Sequence, residues 1–242
     1  MTPLPPYTVR PSARARRVSL RITPAGELEV VVPQGFDTRR VPAIVRDKAE
    51  WVARQLARAA ERRAAWHAQP PLPREIPLRA VGERWRVAYV AAAGRRLALT
   101  ERPDGHLVLR GAVDDAAACR RLLRRWLAAR ARGHLPPWLE RLAAEHGLSY
   151  GRVALRAQRT RWGSCSSRGT ISLNVALLFL PEDLVRAVLL HELCHTEEMN
   201  HSPAFWRRLA ALDPAWREAR EALRTAWRLV PRWVQEETGA TG

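Results

Sequence analysis

The run His191-Glu192-Leu193-Cys194-His195 sets two imidazoles four residues apart, with a carboxylate next to the first. On a helix, residues four apart lie one turn apart on the same face, so both rings can reach one metal ion. Glu192 then stands where it can take a proton from a metal-activated water instead of ligating. Two histidines do not complete a catalytic zinc site, and His201 is the best third ligand. Six residues beyond His195, it cannot share that face in a continued helix, so the chain has to turn. Asn200 tolerates the left-handed conformation that ends helices, and Ser202-Pro203 begins a new one. Three histidines leave a fourth tetrahedral position open for water, the pattern of a catalytic site. Glu197, Glu198, Glu218 and Glu221 remain alternative third ligands. The expected cofactor is Zn2+, one per chain.

Around this constellation the roles are less determined. Cys194 reads as a small buried residue and Met199 as packing. Cys165 could reach the open metal position as an inhibitory thiolate, a latency switch, with a buried structural thiol as the alternative. Tyr150, Arg161 and Asn200 are the candidates for stabilising an oxyanion. Trp162 could stack on a base or simply pack.

The elements that must hold these residues follow from periodicity. Pro181-Glu182-Asp183 starts a helix, with proline at its first position and acids in the first turn, running to about Glu198. Residues 152–156 and 170–174 read as short strands. Ile171 to Asn174 is expected beside the metal-binding helix, where it would hold an extended peptide by backbone pairing. Asp114-Asp115 caps a helix to about Arg132, and another runs from about Pro136 to His146 after Gly133. Upstream, residues 1–12 read as frayed. Val18, Leu20 and Ile22 pair with Leu28, Val30 and Val32 as a hairpin across Pro24-Ala25-Gly26. Residues 38–67 read as one long helix. A second β region spans Trp85, Val87 and Tyr89, then Leu97 and Leu99, then Leu107 and Leu109, with Asp104-Gly105 as a turn. The expectation is an α+β chain, with a β-rich module with one long inserted helix over 1–111 and a catalytic domain over 112–242.

Composition limits the partners. The formal charge is +17 over 242 residues, carried almost entirely by arginine. Codon bias explains arginine over lysine, whereas an excess of arginine over acids points to a polyanion, nucleic acid first. Arg10, Arg14, Arg16, Arg17 and Arg21 in the first hairpin, with Arg84, Trp85 and Arg86 in the second β region, are the candidate contacts to single-stranded DNA. On a strand from Arg16 to Arg21, Arg17 and Arg21 would share one face. The three cysteines form no CxxC pair, which fits a reducing compartment. The N-terminus lacks a signal-peptide pattern and no apolar run is long enough to span a bilayer, so a cytoplasmic protein, in contact with the nucleoid, is expected and no membrane partner.

Arg161-Trp162-Gly163-Ser164-Cys165-Ser166, Ile171-Ser172-Leu173-Asn174, the HELCH run, and Asn200-His201-Ser202 with Phe205-Trp206 together resemble the YgjP-like metallopeptidases. The segment from Arg14 to Ile22 and the helix with Lys48 and Trp51 share the likeness. These proteins are related to the WLM and SprT/Spartan-type proteases, which act on DNA–protein crosslinks. The resemblance implies a minimal zincin-type α+β domain, with His191, His195 and His201 as zinc ligands and Glu192 as the base. It implies a protein or peptide substrate. A nucleotide-hydrolysing activity attached to the same group gives the alternative, a metal-dependent nucleotide phosphohydrolase. The chain lacks the carboxylate-rich, two-metal set usual for that chemistry.

Overall fold

Alternation builds the first sheet. The computed structural model describes residues 4–23, 26–94, 96–158 and 160–235, apart from the side chains at 62, 63 and 65–67. It divides into two compact units, residues 1–70 and 71–242. In the first, β3 (Leu28–Pro33) lies between β1 (Tyr7–Ser12), parallel to it, and β2 (Ser19–Ile22), antiparallel. The β2–β3 hairpin follows the sequence pattern, although Pro24 and Ala25 of its turn lie outside the described residues. The expected strand from Arg16 begins only at Ser19, and within it Leu20 and Ile22 are half-buried while Ser19 and Arg21 are exposed. Residues 7–12 are not frayed. They form an edge strand, where Pro11 is tolerated because an edge leaves one side of the backbone unpaired.

Leu28 and Val30 pack with Val41 and Val45 of α1 (Val41–Asp47) and Val52 of α2 (Ala49–Ala68) to form this unit's core. The helix expected over 38–67 is thus two helices after a short 3-10 turn. The break falls at Lys48, whose backbone (φ −105°, ψ 17°) leaves the helical region.

The second unit opens with a four-stranded sheet, in the order β4 (Glu75–Leu78), β5 (Glu83–Ala91), β7 (His106–Gly111), β6 (Ala98–Arg102). β5 and β7 are parallel, so this is not a simple meander. Its inner face, Ile76, Leu78, Val87, Leu107 and Leu109, shares one core with Leu123, Leu127 and Leu135 of α3 (Ala116–Glu145). That shared core places the sheet with the helices that follow it, whereas the sequence reading grouped it with residues 1–70.

α3 runs unbroken through Gly133, Pro136 and Pro137, where two helices were expected. An interior proline costs about 3 kcal/mol. The buried row Leu123, Leu127, Ala131, Leu135, Leu139 and Leu142 keeps helical spacing across the gap. Each leucine contributes ~1.5–3 kcal/mol of burial, enough to hold the helix together.

The third sheet has the order β8 (Arg152–Arg156), β10 (Thr170–Asn174), β9 (Gly163–Cys165). Then come α4 (Glu182–Cys194), α5 (Pro203–Leu212), α6 (Trp216–Leu223) and α7 (Arg232–Gln235). No helix among the described residues is long and apolar enough to cross a membrane. The protein is a mixed α+β structure.

Candidate metal centre

α4 is anchored by burial on most of its circumference. Val185, Leu189, Leu190, Leu193 and Cys194 are fully buried, which holds the remaining strip with His191 and His195 in a fixed orientation. Glu182 and Asp183 fall in its first turn, where carboxylates favour the positive end of the helix dipole. The helix stops at Cys194, short of the expected Glu198. Leu193 and Cys194 carbonyls accept the N–H groups of Thr196, Glu197 and Glu198, winding the chain tightly back. No described non-glycine residue has positive φ, so Asn200 does not make the left-handed turn expected of it. Ser202 caps α5 by accepting the Phe205 N–H at 3.3 Å.

This joint brings the third imidazole home. The ligand-capable nitrogens of His191, His195 and His201 all lie within 4.8 Å of one another. Nε2 of His201 and Nε2 of His191 stand 3.1 Å apart. His195 Nδ1–H donates to the Glu198 carbonyl at 3.0 Å, which leaves Nε2 as its free nitrogen. Glu198 thus acts through its backbone. Glu197 is engaged by Arg208 at 2.7 Å, and Glu221 by Arg224 at 2.9 Å. Glu197, Glu198, Glu218 and Glu221 do not join the cluster. Met199, expected to pack, is 45% exposed.

Aromatic rings set the imidazole planes. Phe205 sits against His195 at 4.5 Å and His191 at 5.0 Å between centroids. Trp206 stacks on His201 at 5.3 Å, and its indole N–H donates to the His201 carbonyl at 3.1 Å. Burial, then the charges of His195, His201 and Arg220, push His191 down to about 3. His201 is lowered by the same kind of causes, burial first. Both imidazoles are therefore neutral near neutral pH, as ligation requires.

Glu192 is 5% exposed, and its Oε2 has no hydrogen-bond partner among the described residues. Burial pushes the carboxyl up to about 8, against the opposing charge of Arg161. It fits only because residue 163 is glycine. A Cβ there would stand 2.6 Å from Glu192 Oε1 and 2.7 Å from Cγ. Sequence reasoning quoted Gly163 within a motif but missed this contact, which joins residues 29 positions apart and leaves no periodic trace.

β10 is the central strand, paired on both sides, so it has no edge to offer a peptide. That corrects the expectation for residues 171–174. The sheet's edges are β8 and β9, and β9 is the one whose Gly163 lies against Glu192 of α4. Asn174 N–H bonds the Trp162 carbonyl and Ser166 N–H the Thr170 carbonyl, so Ser164–Ser172 is the hydrogen-bonded pair between them. Gly163 and Cys165 consequently turn N–H and C=O away from the sheet. Trp162 packs, stacked on Trp227 at 4.1 Å. Cys165 Sγ contacts the Ser166 carbonyl at 3.5 Å and is not among the converging groups. Burial, then the Glu192 charge, raises its pKa, which disfavours the thiolate. Of the oxyanion candidates, Arg161 lines the cavity beside the histidines, and Tyr150 and Asn200 do not. Arg220 and Trp216, which no sequence pattern singled out, line it too.

The candidate DNA contacts divide. Arg10 bonds Glu29 at 3.3 Å, and Arg21 pairs closely with the same carboxylate. Arg14, Arg16 and Arg17 are exposed and form no ion pair among the described residues. In the second unit Arg84 pairs with Glu75 at 2.7 Å, and Arg86 is exposed. Trp85 is not available to a base. It is 8% exposed, its N–H donates to Glu83, and it packs edge-on against Trp126.

The comparison with curated proteins gave no match. Among solved structures, the crystal structure of the metallopeptidase zymogen of Pyrococcus abyssi abylysin aligns with 29% identity and a TM-score of 0.32, covering 36% of this chain and 90% of that one. The family model described as YgjP-like, metallopeptidase domain, matches residues 16–226, so the chain belongs to the YgjP-like metallopeptidase family.

Proposed function

We propose that the protein is a zinc-dependent peptidase in which His191, His195 and His201 hold one zinc ion and Glu192 is the general base. The observation that carries this reading is a buried carboxyl group with an unsatisfied oxygen beside three converging imidazoles. Such a group costs stability unless a cation or substrate completes it. The donor set fits zinc. Three nitrogen ligands suit it, and the 3.1 Å between two of them is about the separation of nitrogens on one tetrahedral ion.

When bound, zinc supplies a Lewis acid that acidifies water and polarises a carbonyl. Glu192 takes the proton from the attacking water and returns it to the departing amine nitrogen. Its burial keeps it a better base than a solvated carboxylate. The outward N–H and C=O groups of Gly163 and Cys165 can pair with an extended peptide, adding a strand to β9.

The partner in this reading is single-stranded DNA, with protein crosslinked to it as substrate, in a cytoplasmic, nucleoid-associated setting. Its support is the net charge of +17 and Arg14, Arg16 and Arg17, exposed and without an ion pair among the described residues. Peptide cleavage with and without single-stranded DNA, run beside nucleoside triphosphate hydrolysis on zinc-loaded protein, tests the whole. We expect one zinc per chain, lost in His201→Ala with helical content retained, and cleavage of peptide only. Triphosphate hydrolysis without peptide cleavage would replace this reading with a phosphohydrolase.

A further inference from the structure

The cavity beside the imidazoles has a volume of about 470 Å³, within the ~300–1,000 Å³ of ligand pockets. One wall is apolar: Trp162, Trp206, Leu209, Trp216 and Leu223. Trp206 and Trp216 stack face to face at 4.6 Å with 20° between planes, which holds both rings rigidly beside the cavity. Arg161 and Arg220 also line the cavity, and neither forms an ion pair among the described residues. Arg220 instead lies over the Trp206 ring at 4.9 Å. That contact orients the guanidinium without neutralising it. Both guanidinium groups are exposed at the cavity, so a purely apolar occupant would leave their hydrogen-bond donors unused where an anionic group could take them. A small anion alone would leave the tryptophan wall uncovered. Complementarity asks for both features in one molecule.

We propose that this cavity is a specificity pocket for a large apolar side chain with a carboxylate beside it. The apolar part lies on the tryptophan wall and the carboxylate meets Arg220 and Arg161. The inference rests on the peptidase reading, since His191, Glu192 and His201 line the same cavity and an occupant is held next to the scissile bond. The carboxylate has two peptide sources: the free C-terminus of a substrate, or an acidic side chain following an apolar residue. Guanidinium forks bind either one in two parallel hydrogen bonds.

The test is binding, with a readout separate from turnover. Zinc-loaded full-length protein is titrated with N-acetyl-phenylalanine, its amide, N-acetyl-alanine and N-acetyl-phenylalanyl-aspartyl amide, following tryptophan fluorescence. At least one of the two phenylalanine acids should bind about tenfold or more tighter than the neutral amide, and which one does names the source. N-acetyl-alanine should bind weakest among the acids. Arg220→Ala should collapse the acid-to-amide ratio, and Leu223→Trp, which fills the pocket, should weaken every phenylalanine ligand. Equal binding of acids and amide overturns the proposal. So does a ratio unchanged in both Arg220→Ala and Arg161→Ala, which would place the carboxylate on zinc alone. Peptide cleavage by the same protein without this preference sinks only the pocket, whereas the preference without any peptide cleavage sinks only the peptidase.

Discussion

Glu192 in the second unit and Arg14, Arg16 and Arg17 in the first are ionisable groups that form no ion pair among the described residues, in opposite surroundings. Glu192 is 5% exposed, its Oε2 has no hydrogen-bond partner among the described residues, and its pKa is pushed up to about 8. The three arginines are exposed, where water solvates a guanidinium at little cost. A buried unpaired carboxylate penalises folding and so argues for a task. An exposed unpaired cation is nearly free and argues only for compatibility with a polyanion. Metal chemistry therefore rests on a physical penalty, and DNA contact rests on accumulated charge.

The sharpest break is Glu192→Gln. It keeps the shape and removes the proton acceptor, so peptide hydrolysis should fall by about two to four orders of magnitude while zinc content holds. Turnover near the parent's in a zinc-loaded variant would remove Glu192 from the mechanism.

The same substitution should raise stability in the metal-free protein. Its folded-state carboxyl, at about 8 against an ordinary 4.5, keeps its proton where the unfolded chain releases it. The folded state then binds more protons, and stability declines as pH rises from about 4.5 through 8. Urea melts at pH 7 should show Glu192→Gln more stable by on the order of 3 kcal/mol. The gap should close below about pH 4.5. A constant gap across that range would mean the carboxyl is not strained.

Gly163→Ala probes the same residue by crowding. The added methyl meets Glu192 Oε1 at 2.6 Å, so the carboxylate must shift, at a cost of about 1–3 kcal/mol. The loss should appear in kcat more than in KM, with zinc unchanged. Parent-like kcat would show that Glu192 has room to spare.

The smallest effect belongs to the exposed side of the comparison. Replacing Arg14, Arg16 and Arg17 together by Ala should weaken single-stranded DNA binding and reduce the slope of log affinity against log salt by up to about 2. Zinc content should not change. A triple variant with the parent's salt slope would leave those arginines as a solvated surface.

Local patterns were read well. Residues 152–156 and 170–174 are strands as expected, and the start of α4 and the caps at Asp115 and Ser202 follow from proline, acid and hydroxyl placement. The histidine pair needed only the helical period. The edge strands β1 and β9 were missed, because one contains proline and the other glycine, and each is held by a distant strand. The break at Gly133 and Pro136-Pro137 was predicted from local propensity and overruled by the buried leucine row of α3.

The sequence by itself determined that two imidazoles share one helix face with a carboxylate beside them and that a third histidine follows a forced turn, since spacing and backbone geometry act over a few residues. Only the tertiary structure decided that Gly163 lies against Glu192, that β9 and not β10 lies at an edge, that Trp85 is buried while Trp206 and Trp216 wall a cavity, and that Arg220 reaches that cavity. Each of these depends on which surfaces exclude water together, and burial joins residues by distance in space, whatever their separation along the chain.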